Sequence, residues 1–140
     1  MNTSKVIQYL SQGFILLSAL SLLSVSLMAL VNPQSVMDLI QVKLMNNDAF
    51  SSIRGVYGGV GFVLFMSLIY LMFNDMKMGL VFLSLLWGFY AFSRIITIFC
   101  EGTLGAFGQQ WLLIESFLFI SALGLVMASN RHSTFKTVSR

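Results

Sequence analysis

The stretch that decides the architecture is residues 54–73, RGVYGGVGFVLFMSLIYLMF. Arg54 opens it, and no other charged side chain occurs before residue 75. A helix rises about 1.5 Å per residue, so an apolar run of about 20 residues crosses the roughly 30 Å hydrocarbon core of a bilayer. Residues 55–73 are therefore predicted to form a membrane-spanning helix.

Three further apolar runs of similar length occupy residues 13–31, 78–100 and 111–129. The chain is 57% hydrophobic and 9% charged, whereas soluble domains carry roughly 25% charged residues. A soluble fold of 140 residues has too small an interior to hide that much apolar surface. We therefore predict an all-α fold, a four-helix transmembrane bundle over residues 1–130, followed by a basic cytoplasmic tail at 131–140.

The first apolar run also has features of a signal peptide, because Lys5 precedes it. A signal peptide has an apolar region of about 7–15 residues and a cleavage site of the A-x-A type. Here the run is longer, and Leu27-Met28-Ala29 is a poor cleavage site. We predict that this segment is retained as the first membrane helix.

The connection between the first two spans has a pattern of its own. Asn32-Pro33 ends the first helix, since proline cannot continue it and Asn-Pro favours a turn. Residues 36–44 mix apolar and charged side chains and are too short to span. They are predicted to form a short helix lying in the membrane interface. Asp48 or Ser51 is expected to cap the second span.

The distribution of positive charge predicts the orientation, because lysine and arginine in short loops mark the cytoplasmic side. The two ends of the chain and the loop at 74–77 hold most of these residues. We predict a multi-pass protein of a bacterial inner membrane with both termini in the cytoplasm. The cytoplasmic side holds Lys5, Lys77, Arg131, Lys136 and Arg140, and the outer side holds Lys43 and Arg54.

Composition also argues against several classes of site. The lone Cys100 has no partner for an internal disulfide, and the single His132 lies in the polar tail. No cysteine and histidine spacing typical of zinc or haem ligation occurs. The net charge of +3 is spread along the chain, which argues against nucleic acid as a partner. We predict no metal and no cofactor, and the lipid bilayer as the main partner.

Two charged residues interrupt the predicted spans, and each needs a reason. A charged side chain at mid-span costs roughly 2.5–3.5 kcal/mol on insertion scales. Arg94 lies about 24 Å along the third helix, and Glu115 lies about 6 Å below the outer boundary on the fourth. The two levels coincide, and Arg54 and Glu101 lie at the same end. The charges are therefore predicted to gather at the outer end of the bundle.

Helical spacing places aromatic side chains beside these charges. Trp87, Tyr90 and Arg94 share one face of the third helix, and Trp111 lies one turn before Glu115. A ligand-binding cavity is predicted there. Its predicted lining is Arg54, Tyr57, Tyr90, Arg94 and Glu115, with Gly55, Gly58, Gly59, Trp87, Glu101 and Trp111 in support.

Structural interpretations stand beside this functional one. Arg94 and Glu115 can simply lock two helices, while Arg54 extends to the lipid headgroups. The glycine cluster at 55–61 is typical of close helix packing within the bundle. It also fits a self-association face or a ligand cleft lined by backbone.

The order of these features resembles a known family. Arg-Gly-x-Tyr-Gly-Gly at 54–59 opens the second helix, and Arg94, Glu101-Gly102 and Glu115 follow. Together they are similar to a bacterial family of small four-helix membrane proteins, domain of unknown function 4345. The resemblance runs from the first helix to Met127, although glycine precedes the helix-three arginine in that family and Ser93 stands here. It implies a four-helix fold and no established activity.

Among functions, the residues favour a binding or accessory membrane protein whose outer pocket holds an anionic amphiphile or a lipid, since arginine suits phosphate and carboxylate. A subunit of a larger membrane complex and a small proton-coupled transporter are the alternatives, and a homo-oligomer is compatible with each. Glu115 lies near one surface rather than at the midplane, which disfavours transport. An enzyme is less expected, because no histidine lies in the spans and Cys100 has no obvious activating base.

Overall fold

The computed structural model describes the backbone of residues 3–138 and the side chains of residues 3–130. The described part of the chain is helical and contains no strand, which confirms the predicted all-α class. Four helices are long and apolar enough to cross a membrane, as a four-helix bundle requires. In chain order the elements are α1 (Thr3–Val31), α2 (Pro33–Asp38), α3 (Asn47–Ile53), a π-helical segment (Arg54–Gly59), α4 (Val60–Asn74), α5 (Met76–Glu101) and α6 (Ala106–Val138).

The bundle consists of two closely packed helix pairs. The α5 helix packs most extensively on α6, and α1 packs most extensively on α4 and the π segment, with fewer contacts between the pairs. One apolar core joins all four helices in the half of the bundle nearest the connection between α4 and α5. Its buried members are Ile15, Ala19, Leu68, Leu80, Leu83, Trp87 and Ala122.

The two ends of the bundle differ in their connections. Asp75 alone separates α4 from α5, and its side chain accepts a hydrogen bond from the Met78 amide at 2.9 Å. We call this the hairpin end. At the other end Gly102 stops α5 in a backbone conformation with φ of +102°, which favours glycine. We call that end, with Arg54, Arg94, Glu101 and Glu115, the charged end.

The Gln34 side chain makes three hydrogen bonds within the connection between α1 and α3. Gln34 donates to the Asp38 carboxylate at 2.7 Å and to the Val42 carbonyl at 2.9 Å. Its amide oxygen accepts from the Leu44 amide at 2.9 Å. The short helix predicted over 36–44 exists, but it covers Pro33–Asp38, because the chain then turns: the Val42 amide donates to the Met37 carbonyl at 3.0 Å, and Gln41 has a positive φ of 59°.

Helix capping differs from the prediction. Neither Asp48 nor Ser51 caps the second span, because the helix begins earlier, at Asn47. The cap is Asn46, whose side chain accepts from the Ala49 amide at 2.8 Å. Asp48 lies in the first turn, where its negative charge interacts favourably with the helix dipole.

The last helix extends beyond its predicted span, since the backbone remains helical to Val138. The side chains after Asn130 lie outside the described ones. The basic tail with Arg131, Lys136 and Arg140, and the orientation derived from it, therefore stay predictions.

Candidate functional site

An ion pair between α5 and α6 forms the centre of the charged end. Arg94 Nε donates to Glu115 Oε2 at 2.6 Å, and Arg94 Nη2 donates to Oε1 at 2.8 Å. The Glu115 side chain is 3% exposed and that of Arg94 is 23% exposed. This two-pronged geometry is the strongest that arginine and carboxylate adopt. It places the two intramembrane charges at one level, as their depths predicted.

Two tyrosines belong to the same cluster. Tyr90 lies within electrostatic reach of Tyr57, Glu115 and Arg94. Tyr57 comes from the π segment and Tyr90 from α5, so the cluster bridges the two helix pairs. Tyr57 is 37% exposed and Tyr90 is 40% exposed. The cluster is therefore open at its tyrosines, and the ligand-binding cavity stays a prediction.

Trp87 lies below the tyrosines, towards the middle of the bundle. Its ring centroid is 6.0 Å from that of Tyr90, at an interplanar angle of 38°. The residue is 6% exposed, and its indole Nε1 has no hydrogen-bond partner among the described residues. A buried donor without a partner is unusual, since most such groups are satisfied in native structures.

Arg54 makes a different contact from the predicted one. Its Nε donates to the Leu30 carbonyl at 3.2 Å. Leu30 lies in the last turn of α1, where carbonyls lack partners within the helix and a positive charge is favoured. Arg54 thus caps α1 from the neighbouring helix, and no described contact joins it to Arg94 or Glu115. The other four predicted lining residues are brought together.

The Arg-Gly-x-Tyr-Gly-Gly motif is the π-helical segment itself. The Val60 amide donates to the Gly55 carbonyl, five residues back, instead of four. The widened turn leaves the Gly58 carbonyl facing α1, where Ser26 Oγ donates to it at 2.6 Å. Short π segments inside α-helices are frequent at functional sites. Sequence reasoning found this motif but not its backbone conformation.

The glycines of this motif divide into two groups. A side chain at Gly58 would meet the Leu30 side chain at 2.7 Å, and one at Gly61 would meet Ser26 at 3.1 Å. Gly55 has open space at the same position, and Gly59 has only a backbone atom at 4.0 Å. Helix packing therefore depends on Gly58 and Gly61, whereas the G-x-x-x-G pair of Gly55 and Gly59 is not used within the bundle.

The remaining predicted residues lie apart from the cluster. Glu101 is exposed at the end of α5. Trp111 is half-buried, and its ring centroid is 6.1 Å from that of Phe107. Among the described residues, no contact joins either of them to the ion pair. Ser26 and Leu30 were missed, because their roles depend on backbone carbonyls that a sequence pattern does not display.

The fold and this charged end define a class, the small multi-pass membrane proteins with an ion pair inside a four-helix bundle. The family model of DUF4345, a domain of unknown function, matches residues 10–126, so the chain belongs to that family. The resemblance carried by residues 54–59, Arg94 and Glu115 is thereby confirmed. No curated protein and no solved structure matches the chain.

Proposed function

We propose that this protein binds a membrane lipid or a similar amphiphile whose polar head reaches the cluster of Tyr57, Tyr90, Arg94 and Glu115. The observation that carries the proposal is the incomplete use of Arg94. A guanidinium has five N–H donors, and Glu115 accepts from Nε and Nη2 only. The Nη1 group and the exposed fraction of the side chain are available to a ligand.

The surroundings of the cluster suit an amphiphile. Beyond Ala91, the residues of α5 are exposed or half-buried, so this end of the helix offers surface to a ligand. Apolar side chains such as Phe92 and Phe99 are 54% and 85% exposed there. A lipid tail can remain among such side chains while the head enters between the pairs.

Arg54 supplies the preference for an anionic head. The Arg94–Glu115 pair is neutral as a unit, so it does not by itself select a negative charge. Arg54 is exposed, uses only its Nε on Leu30 and lies one helical turn from Tyr57. Its remaining N–H groups suit a phosphate or carboxylate at the entrance of the cluster.

The test is native mass spectrometry of the protein purified in mild detergent. We expect co-purified anionic lipid in the native protein and at least a severalfold lower occupancy in the double variant Tyr57→Phe/Tyr90→Phe. That variant keeps both rings and the ion pair, so loss of folding is not expected. Lys77→Ala is the matched control, because it removes an exposed charge at the hairpin end. Equal lipid occupancy in all three proteins would argue against the site.

Arg94 is tested in the same way. Arg94→Lys keeps the charge but loses the planar fork that binds two acceptors. We expect a lower lipid occupancy in this variant, while its circular dichroism spectrum remains that of a helical protein. An unchanged lipid profile would assign Arg94 a structural role alone.

A further inference from the structure

The deep part of the proposed site has an unusual balance of charge and hydrogen bonding. Both carboxylate oxygens of Glu115 accept hydrogen bonds from Arg94. Two unused groups can only donate, namely Arg94 Nη1 and the Trp87 indole N–H, which has no hydrogen-bond partner among the described residues. The hydroxyls of Tyr57 and Tyr90 can donate or accept. A ligand group that satisfies the two donor-only groups must therefore supply an acceptor.

The same region disfavours a net charge on the ligand group. The ion pair is neutral, and Trp87 belongs to the apolar core with residues such as Leu83 and Ala122. Placing an unpaired charge in such surroundings costs far more than placing a neutral polar group there. The Arg54 guanidinium, which can balance an anion, is at the entrance and is bonded to Leu30.

Resting on the proposed function, we infer that the donor cluster of Trp87, Tyr90 and Arg94 binds an uncharged carbonyl oxygen carried on an apolar chain. The chain's own contacts leave Trp87 Nε1 buried without a partner beside the Tyr90 ring. A carbonyl is an acceptor without charge, and it supplies what these donors lack. Two membrane sources of this group are the ester of a glycerolipid and the ring of a quinone.

The inference divides the site into two levels. An ester-linked phospholipid carries its phosphate outside its ester carbonyls, and the charged end has the same order. Arg54 at the entrance would face the phosphate, while Trp87, Tyr90 and Arg94 would face the ester. Selectivity for charge and selectivity for the carbonyl are then expected to depend on different residues.

The experiment compares ester-linked and ether-linked phosphatidylglycerol of equal chain length, added in equal amounts to delipidated full-length protein. The two lipids differ in the carbonyl oxygens and share the phosphate. Native mass spectrometry measures the ratio of bound ester to bound ether lipid. We expect about a fivefold preference for the ester, the ratio that one hydrogen bond of about 1 kcal/mol provides.

Matched variants assign the preference to residues. Trp87→Phe keeps an aromatic ring and removes the N–H, so the ester preference should fall towards one. Trp111→Phe removes the other tryptophan N–H of the chain and should leave the preference unchanged. Arg54→Gln should weaken both lipids about equally and preserve their ratio.

The outcomes separate the two proposals. Equal binding of the ester and ether lipids, without displacement by a quinone, would overturn the carbonyl inference and leave lipid binding intact. Displacement of either lipid by menaquinone in native protein but not in Trp87→Phe would support the inference with a quinone as the source. Failure of every lipid and quinone to bind would overturn the proposed function itself.

Discussion

The hairpin end and the charged end of this bundle are held together by different interactions. The hairpin half has a continuous apolar core that draws residues from all four long helices. At the charged end, three polar contacts join elements within the described part of the chain: Arg94 with Glu115, Ser26 with Gly58 and Arg54 with Leu30. Lipid is as apolar as leucine, so apolar packing in a membrane gains little from removal of water. The polar contacts at the charged end can therefore fix the relative position of the helices, which apolar packing at the hairpin end does not determine by itself.

The largest expected effect concerns the ion pair. Glu115→Leu leaves Arg94 without its partner in a largely buried position, and breaking such a pair typically costs about 3 kcal/mol. Unfolding in mixed micelles with increasing dodecyl sulfate measures the loss.

The control for that prediction is the double variant Arg94→Leu/Glu115→Leu. Replacing a whole buried pair by apolar groups is often neutral. We expect it to recover most of the stability that Glu115→Leu loses while losing lipid binding. A double variant with full stability and full lipid binding would show that neither property requires the ion pair.

The next effect tests the core of the hairpin half. Leu80 is fully buried near the hairpin end, so Leu80→Ala leaves a cavity that its neighbours fill only in part. We expect a loss of about 2 kcal/mol with lipid binding at the charged end unchanged. Leu85→Ala, on the same helix but 57% exposed, is the control and should change stability little. A loss of binding in Leu80→Ala would show that the two ends are coupled.

A smaller effect is expected at the glycines of the π segment. Gly58→Ala places a methyl group 2.7 Å from the Leu30 side chain, so Leu30 must move. We expect a loss of about 1.5 kcal/mol, within the usual range for overpacking. Gly55→Ala meets open space and is the control. Equal stability of the two variants, measured by the same unfolding assay, would contradict the proposed packing role of Gly58.

The smallest effect concerns the hydrogen bond to the π segment. Ser26→Ala removes the donor to the Gly58 carbonyl and leaves that carbonyl buried. Interhelical hydrogen bonds in membrane proteins average about 0.6 kcal/mol, so we expect a loss of that size. Ser24→Ala is the control, because Ser24 bonds within α1 to the Ser21 carbonyl. Amide hydrogen exchange in residues 54–60 should increase in Ser26→Ala only.

Much of the fold follows from the sequence, because span length and charge leave few alternatives in a membrane. The pairing of Arg94 with Glu115 also follows, since each residue's distance from its helix end sets its depth. The partner of Arg54 does not follow, because Leu30 contributes a backbone carbonyl and any residue has one. The cap at Asn46 was missed because the helix begins before the apolar run does. The π conformation was missed because glycine-rich sequence is compatible with several backbone geometries.

The π segment also changes how the second span tolerates a deletion. Successive residues of an α-helix are rotated by about 100° about its axis. The wider turn at Arg54–Gly59 absorbs an extra residue, so the parts before and after it keep the angular relation that they would have in a regular helix one residue shorter. Deleting one residue within this turn, such as Val56, would therefore restore a regular α-helix without rotating the two parts relative to each other. Deleting one residue of α4 would instead rotate the part that precedes the deletion by about 100° relative to the rest of the span, and Arg54 would then point away from Leu30.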